Sequence, residues 1–182
     1  YHNVNFVIED DSIKATINIK FAVTFLGFTV YNYSHKNNEI WSNNLLTKLN
    51  SETDKNGTLL NCNLNKENSV FYIKGSYGKR TINTSPTPTS YWNKEKLVLE
   101  ESKKVLNTQD CSFIDFKIDY IGEENIYDNK MFAEHFKLTG KEFTGDDVDI
   151  DIWYKNSQWV KMIFYKDGSQ IEYFLKDFDI NE

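Results

Sequence analysis

The sequence predicts a mainly β protein: a curved antiparallel sheet or open half-barrel of about ten strands with one inserted helix. Three observations carry this expectation. Ile13, Ala15, Ile17, Ile19, Phe21, Val23 and Phe25 are apolar at every second position, and Lys14, Thr16, Asn18, Lys20 and Thr24 alternate with them. That is the period of a long strand with one wet face, and a strand of this length generally bends. Asp54-Lys55-Asn56-Gly57 and Asp167-Gly168 separate strand-like runs and suit tight hairpin turns. Aromatic residues make up 15% of the chain, with 13 Phe and 11 Tyr but only 2 Pro and 8 Gly, a composition that favours pleated, half-buried surfaces over disorder.

The elements follow in order. Gly27 interrupts the long strand and marks a bulge or bend. Phe28–Ser34 reads as the next strand, and the Ser-Asn-Asn after Trp41 as a turn. Leu45–Thr53 and Thr58–Leu64 form a hairpin around Asn56-Gly57, and Val70–Lys74 is another strand. The prolines of Thr84–Ser90 keep that segment extended. Ser90 then caps a helix over Tyr91–Ser102 with Lys94, Glu95 and Glu100 on its wet side. Ser112–Ile121, Met131–Thr139, Val148–Tyr154, Gln158–Tyr165 and Ser169–Phe174 complete the strands. No linker, repeat or change of composition divides the chain, so residues 1–182 are expected to form one β-rich domain.

Composition excludes several classes. The formal net charge is -6, and Arg80 is the single arginine. Phosphate and base recognition need clustered Lys and Arg, so nucleic acid is not an expected partner. No run of apolar residues is long enough for a transmembrane helix. The chain opens on Tyr1 without an initiator methionine, which suggests removal of an upstream segment. Cys62 and Cys111 lack zinc-ligand spacing, and no metal or cofactor is expected. They are either two buried thiols or one disulfide.

Few residues suggest chemistry. His35 and Glu39, in Ser-His-Lys-Asn-Asn-Glu-Ile-Trp41, are the one candidate acid–base pair, with Asp54 as a further carboxylate. The bland reading of that cluster is a strand end and a turn. Gly145–Asp151 is rich in Asp but fails the calcium-loop pattern, and Asp149 and Asp151 fit a solvated strand. Glu134 and His135 point to opposite faces of a strand and cannot form a dyad. There is no nucleophile elbow and no phosphate loop.

Phe25–His35, Glu39–Trp41 leading into Ser51–Gly57, Pro88–Asn93, Leu106–Gln109 and Asp149–Tyr154 together resemble a bacterial family known as domain of unknown function 6134, in the same order and over nearly the whole chain. The resemblance implies an exported envelope protein, periplasmic or secreted, whose signal peptide has been removed. It also implies a distant similarity to curved lipoprotein-carrier sheets that shelter an acyl chain, with a further edge strand before residue 1. The family's polar motif residues fall here on His35, Glu39, Trp41, Thr53, Asn56, Gly57, Trp92, Asn93, Asn107 and Gln109. Export favours the Cys62–Cys111 bridge, since paired cysteines usually join in an oxidising compartment.

The expected function is a periplasmic binding or carrier domain for a hydrophobic or amphipathic small molecule, with Tyr31, Tyr33, His35, Trp41, Trp92 and Asn93 as ligand-binding residues. The alternatives are an enzyme acting on a glycan or lipid through His35 and Glu39, and a structural module of an envelope assembly that accepts a partner by strand addition at its N-terminal edge.

Overall fold

A computed structural model describes residues 1–26, 28–99, 102–166 and 168–175. The chain is mainly β, with fourteen strands among the described residues rather than about ten. It divides into two compact units. One comprises Tyr1–Ser90 and Leu106–Phe113, the other Tyr91–Val105 and Ile114–Glu182.

The first unit holds a seven-stranded meander in chain order: β1 (His2–Glu9), β2 (Ser12–Phe25), β3 (Phe28–Ser42), β4 (Leu45–Lys55), β5 (Thr58–Glu67), β6 (Val70–Gly75) and β7 (Gly78–Ile82). Every neighbouring pair is antiparallel. Sequence explains the turns. Asn56 and Gly57 both have positive φ (54° and 87°), as a type I′ hairpin requires, and Asp54 Oδ1 accepts the Gly57 N–H at 2.7 Å. Asn43 and Asn44 (φ 50° and 57°) make the β3–β4 turn in the same way.

Alternation gives this sheet two faces. Ala15, Ile17, Leu49, Leu64 and Ile73 are buried on one, in register across β2 to β6. We call it the His35 face. The alternation foreseen for β2 holds, but burial along it does not. Ile17 is buried, whereas Ile19, Phe21 and Val23 are only partly buried. Bulges at Val30 on β3, opposite Val23 and Thr24, and at Thr47 on β4, opposite Ile40 and Trp41, add local twist and bend to the strands. The break expected at Gly27 lies outside the described residues.

In the second unit β9 (Ser102–Leu106), β10 (Phe113–Ile126), β11 (Met131–Lys141), β12 (Asp147–Lys155), β13 (Gln158–Lys166) and β14 (Ser169–Phe174) lie in the order β14-β13-β12-β11-β10-β9. The two-residue β8 (Thr87–Pro88) adjoins the end of β9, where the Thr89 N–H donates to Leu106 O at 3.0 Å. The core of the second unit contains Leu97, Phe116, Leu138, Ile152 and Tyr154. The Tyr154 hydroxyl donates to Tyr91 O at 2.6 Å, so its polar end is satisfied although the ring is fully buried.

The helix expected over Tyr91–Ser102 shrinks to α1, Lys94–Val98. Tyr91 has φ 61°, which no helical residue adopts, so Ser90 cannot cap it. Asn93 is the cap, and its Oδ1 accepts the Lys96 N–H at 3.2 Å. Ser102 already belongs to β9. The absence of a common apolar face through Trp92, Leu97 and Leu99 is the physical reason that a longer helix does not form. Glu100 and Asp167 of the Asp167-Gly168 turn lie outside the described residues.

Candidate functional site

The His35 face carries the main polar cluster. Tyr31, Tyr33, His35, Asn37, Glu39 and Trp41 alternate along β3, and from Tyr33 onward all are buried. The cluster expected at a strand end and turn thus lies within a strand. Burying so many polar groups is costly unless they are paired, and most are.

His35 Nδ1 lies 2.7 Å from Thr53 Oγ1 on β4, and its Nε2 lies 3.3 Å from Thr108 Oγ1. Burial lowers its pKa to about 4, so the ring is neutral at pH 7 and can both donate and accept. Glu39 accepts from Asn37 Nδ2 and from Trp41 Nε1, each at 2.8 Å. His35 and Glu39 therefore share a face. Four residues of strand separate them by about 13 Å, with Asn37 between. Asp54 is at an odd step from Thr53, on the other face, and serves the Asn56-Gly57 turn.

Residues 107–112 form a loop on the His35 face. Asn107 Oδ1 accepts the Gln109 N–H at 3.1 Å, and the Asn107 N–H donates to Ser112 O at 2.9 Å. Ser51 Oγ donates to Thr108 O, and Thr53 Oγ1 to Gln109 O at 3.5 Å. A disulfide joins Cys62 of β5 to Cys111, with Cα atoms 4.8 Å apart. The motif residues His35, Thr53, Asn107 and Gln109, distant in sequence, thus belong to one network that pins this loop. Ser51 and Thr108 belong to it too and were missed; Asn37, also missed, pairs with Glu39 instead. Asn37 had a signal, since it shares the parity of His35 and Glu39 on β3. Thr108 had none.

Two buried atoms stand outside the network. Asn37 Oδ1 and Ser112 Oγ have no hydrogen-bond partner among the described residues. The Glu39 carboxylate fixes the Asn37 amide, because its Nδ2 must face that acceptor and its Oδ1 must turn away. An unpaired buried acceptor is costly.

Beyond His35 the face is aromatic. The Tyr33 ring stacks on His35 with centroids 6.4 Å apart. Phe21 stacks on Tyr33 at 4.9 Å and on Tyr31 at 5.9 Å. Phe21 and Tyr31 are only half-buried. The structure brings Tyr31, Tyr33, His35 and Trp41 onto one strand face. Trp92 and Asn93 belong to the second unit, where Asn93 caps α1.

The second unit has its own polar cluster, invisible in sequence because it is assembled across strands. His135 Nε2 lies 2.8 Å from Asp151 Oδ1, and its Nδ1 3.1 Å from Glu124 Oε1. Its ring stacks on Trp153 at 4.2 Å, whose Nε1 donates to Glu124 at 2.6 Å. Lys137 pairs with Asp149 and Asp151. This is a cross-strand ion-pair ladder, so Asp149 and Asp151 are paired rather than merely solvated. Among the described residues no three His, Cys, Asp or Glu side chains are grouped to hold a metal ion, and no helix is long and apolar enough to cross a membrane.

No curated protein and no solved structure matches the chain significantly. A family model does, over residues 1–176, and the chain belongs to that family, the domain of unknown function DUF6134.

Proposed function

We propose that the chain is an exported binding or carrier domain for an apolar or amphipathic small molecule, and that the ligand lies on the His35 face of β2 and β3. The observation that carries this reading is the ladder Phe21–Tyr31–Tyr33–His35: two half-buried rings, then a buried ring, then a buried neutral imidazole. Aromatic surface with a few fixed polar groups is the usual lining of a small-molecule site. In this reading the first sheet curves as an open half-barrel, helped by its two bulges, and the apolar part of the ligand stacks on Phe21 and Tyr31. The disulfide supports export.

Titration with an amphipathic fluorescent probe tests it. Saturable binding that Phe21→Ala and Tyr31→Ala each weaken, while an exposed aromatic substitution elsewhere such as Phe132→Ala does not, is the expected result. Equal binding by all three variants would overturn it.

A second reading has one observation behind it. β1 is an edge strand whose Val7 and Ile8 are 52% and 72% exposed, and apolar edges invite strand addition. Concentration-dependent association that Val7→Lys abolishes would favour an assembly module.

A further inference from the structure

The other face of the first sheet is polar, and its side chains are in register. Asn5, Thr16, Asn38, Asn50 and Asn63 are successive cross-strand neighbours from β1 to β5. The row continues into Lys74 and Lys79 on β6 and β7. Strand spacing puts these neighbours about 4.8 Å apart, so the five amides and hydroxyls span about 19 Å across the strands. A second row, Lys48, Asn65, Tyr72 and Thr81, runs beside it. An open groove of about 760 Å³ follows these rows over β4 to β7, lined by Lys48, Lys74 and Lys79 among others and by no carboxylate. Arg80 also borders it, but its register with Ile73 places it on the other face, where its guanidinium lies 5.3 Å from the Phe113 ring centroid.

Hydrogen bonds within the row set the amide planes. Thr16 Oγ1 donates to Asn38 Oδ1 at 3.2 Å, and Asn50 Nδ2 to Asn63 Oδ1 at 2.5 Å. An amide has two donors and two acceptor sites, so the exposed Asn38 and Asn50 keep further capacity towards solvent.

We propose that this face binds an extended anionic polysaccharide, of the kind built from uronic acids, laid across the strands. Amides and hydroxyls offer both donors and acceptors, as sugar hydroxyls require. Tyr72, 47% exposed, presents a ring on which a pyranose face can stack. The three lysines meet carboxylates; no acid lines the groove itself, although Glu67, which accepts from Asn65 Nδ2 at 3.1 Å, and Glu52 stand beside it on the same face. Even spacing along the row suits a polymer with a repeating hydroxyl pattern better than a single small anion. A nucleic acid fits less well, because the face is built of amides and point-charge lysines without the arginine forks that suit phosphates and bases. The site lies on the opposite face from the aromatic ladder, so the two readings stand or fall separately.

Affinity electrophoresis of the native chain tests it, in gels containing polygalacturonate, dextran or single-stranded DNA. Retardation by polygalacturonate, not by dextran, and weakening towards about 0.15 M salt is expected. Lys74→Glu/Lys79→Glu should weaken it about tenfold or more through charge reversal, and Tyr72→Ala several-fold with charge unchanged, both with unaltered melting temperature. Four results would overturn it: no retardation, equal retardation by dextran, tighter binding to DNA, or indifference to the charge reversal.

Discussion

Gly75 and Cys111 approach so closely that a β-carbon on Gly75 would collide with the Cys111 side chain and with the preceding Asp110 carbonyl. The loop bearing Cys111 thus rests on β6 only because that position has no side chain. Gly75→Ala must push the loop off the sheet, straining the Cys62–Cys111 bridge and the hydrogen bonds from Ser51 and Thr53. A destabilisation of about 1–3 kcal/mol or more is expected for such overpacking, measured by denaturant unfolding. Gly57, by contrast, has nothing within 4 Å of that position, so the cost of Gly57→Ala comes from its φ alone.

The bridge makes its own prediction. Denatured, unreduced protein should show no free thiol. Reduction should lower stability by roughly 4 kcal/mol on the chain-entropy model, since the bond spans a sequence separation of 49 residues. Two thiols per chain would remove both the staple and the support it lends to export.

His35 sets a pH dependence. Its pKa is about 4 in the fold against about 6.5 when exposed, so the unfolded chain binds the extra proton first. Its contribution is complete above about pH 6.5 and is lost as pH falls towards 4, by about 3 kcal/mol in all. His2, lowered to about 3 by burial, then by His35 and the N-terminus, acts in the same direction. Urea midpoints between about pH 7 and about pH 5 should fall, and less steeply for His35→Gln. An imidazole of His35 titrating near 6.5 in the folded protein would contradict the buried, neutral ring.

The β class, the Asn56-Gly57 hairpin and the alternation of β2 were legible because they depend on neighbours in sequence. Helix length was legible only in part: the lack of a common apolar face through Trp92, Leu97 and Leu99 stands in the sequence, whereas the positive φ of Tyr91 and the capture of Ser102 by β9 are tertiary outcomes. β1, β7, β8 and β9 were missed as strands: β1 and β7 are sheet edges, β8 has only two residues, and β9 begins at Ser102, where the expected helix was to end. In the site, the strand expected over Phe28–Ser34 stopped short of His35, so the parity that groups Tyr31, Tyr33, His35 and Trp41 emerges only from the full length of β3. Thr108 reaches His35 across 73 residues, and the cluster of Glu124, His135 and Asp151 joins three strands. Neither leaves a local trace.

Phe21 separates packing from binding. A fully packed Phe costs about 3–5 kcal/mol when cut to Ala, but this ring is half-buried and held mainly by Tyr31 and Tyr33. Phe21→Ala should therefore cost clearly less than that range by thermal or urea unfolding, while ligand binding falls sharply. A full core-sized loss would place Phe21 in the packing of the sheet rather than at a ligand surface.

Native mass spectrometry of protein purified from its own host tests the binding reading most directly. The account predicts one bound small molecule per chain, apolar or amphipathic, lost or much reduced in Tyr31→Ala and retained in Tyr72→Ala. A bare chain mass from gentle preparations, or an adduct indifferent to Tyr31, would contradict it.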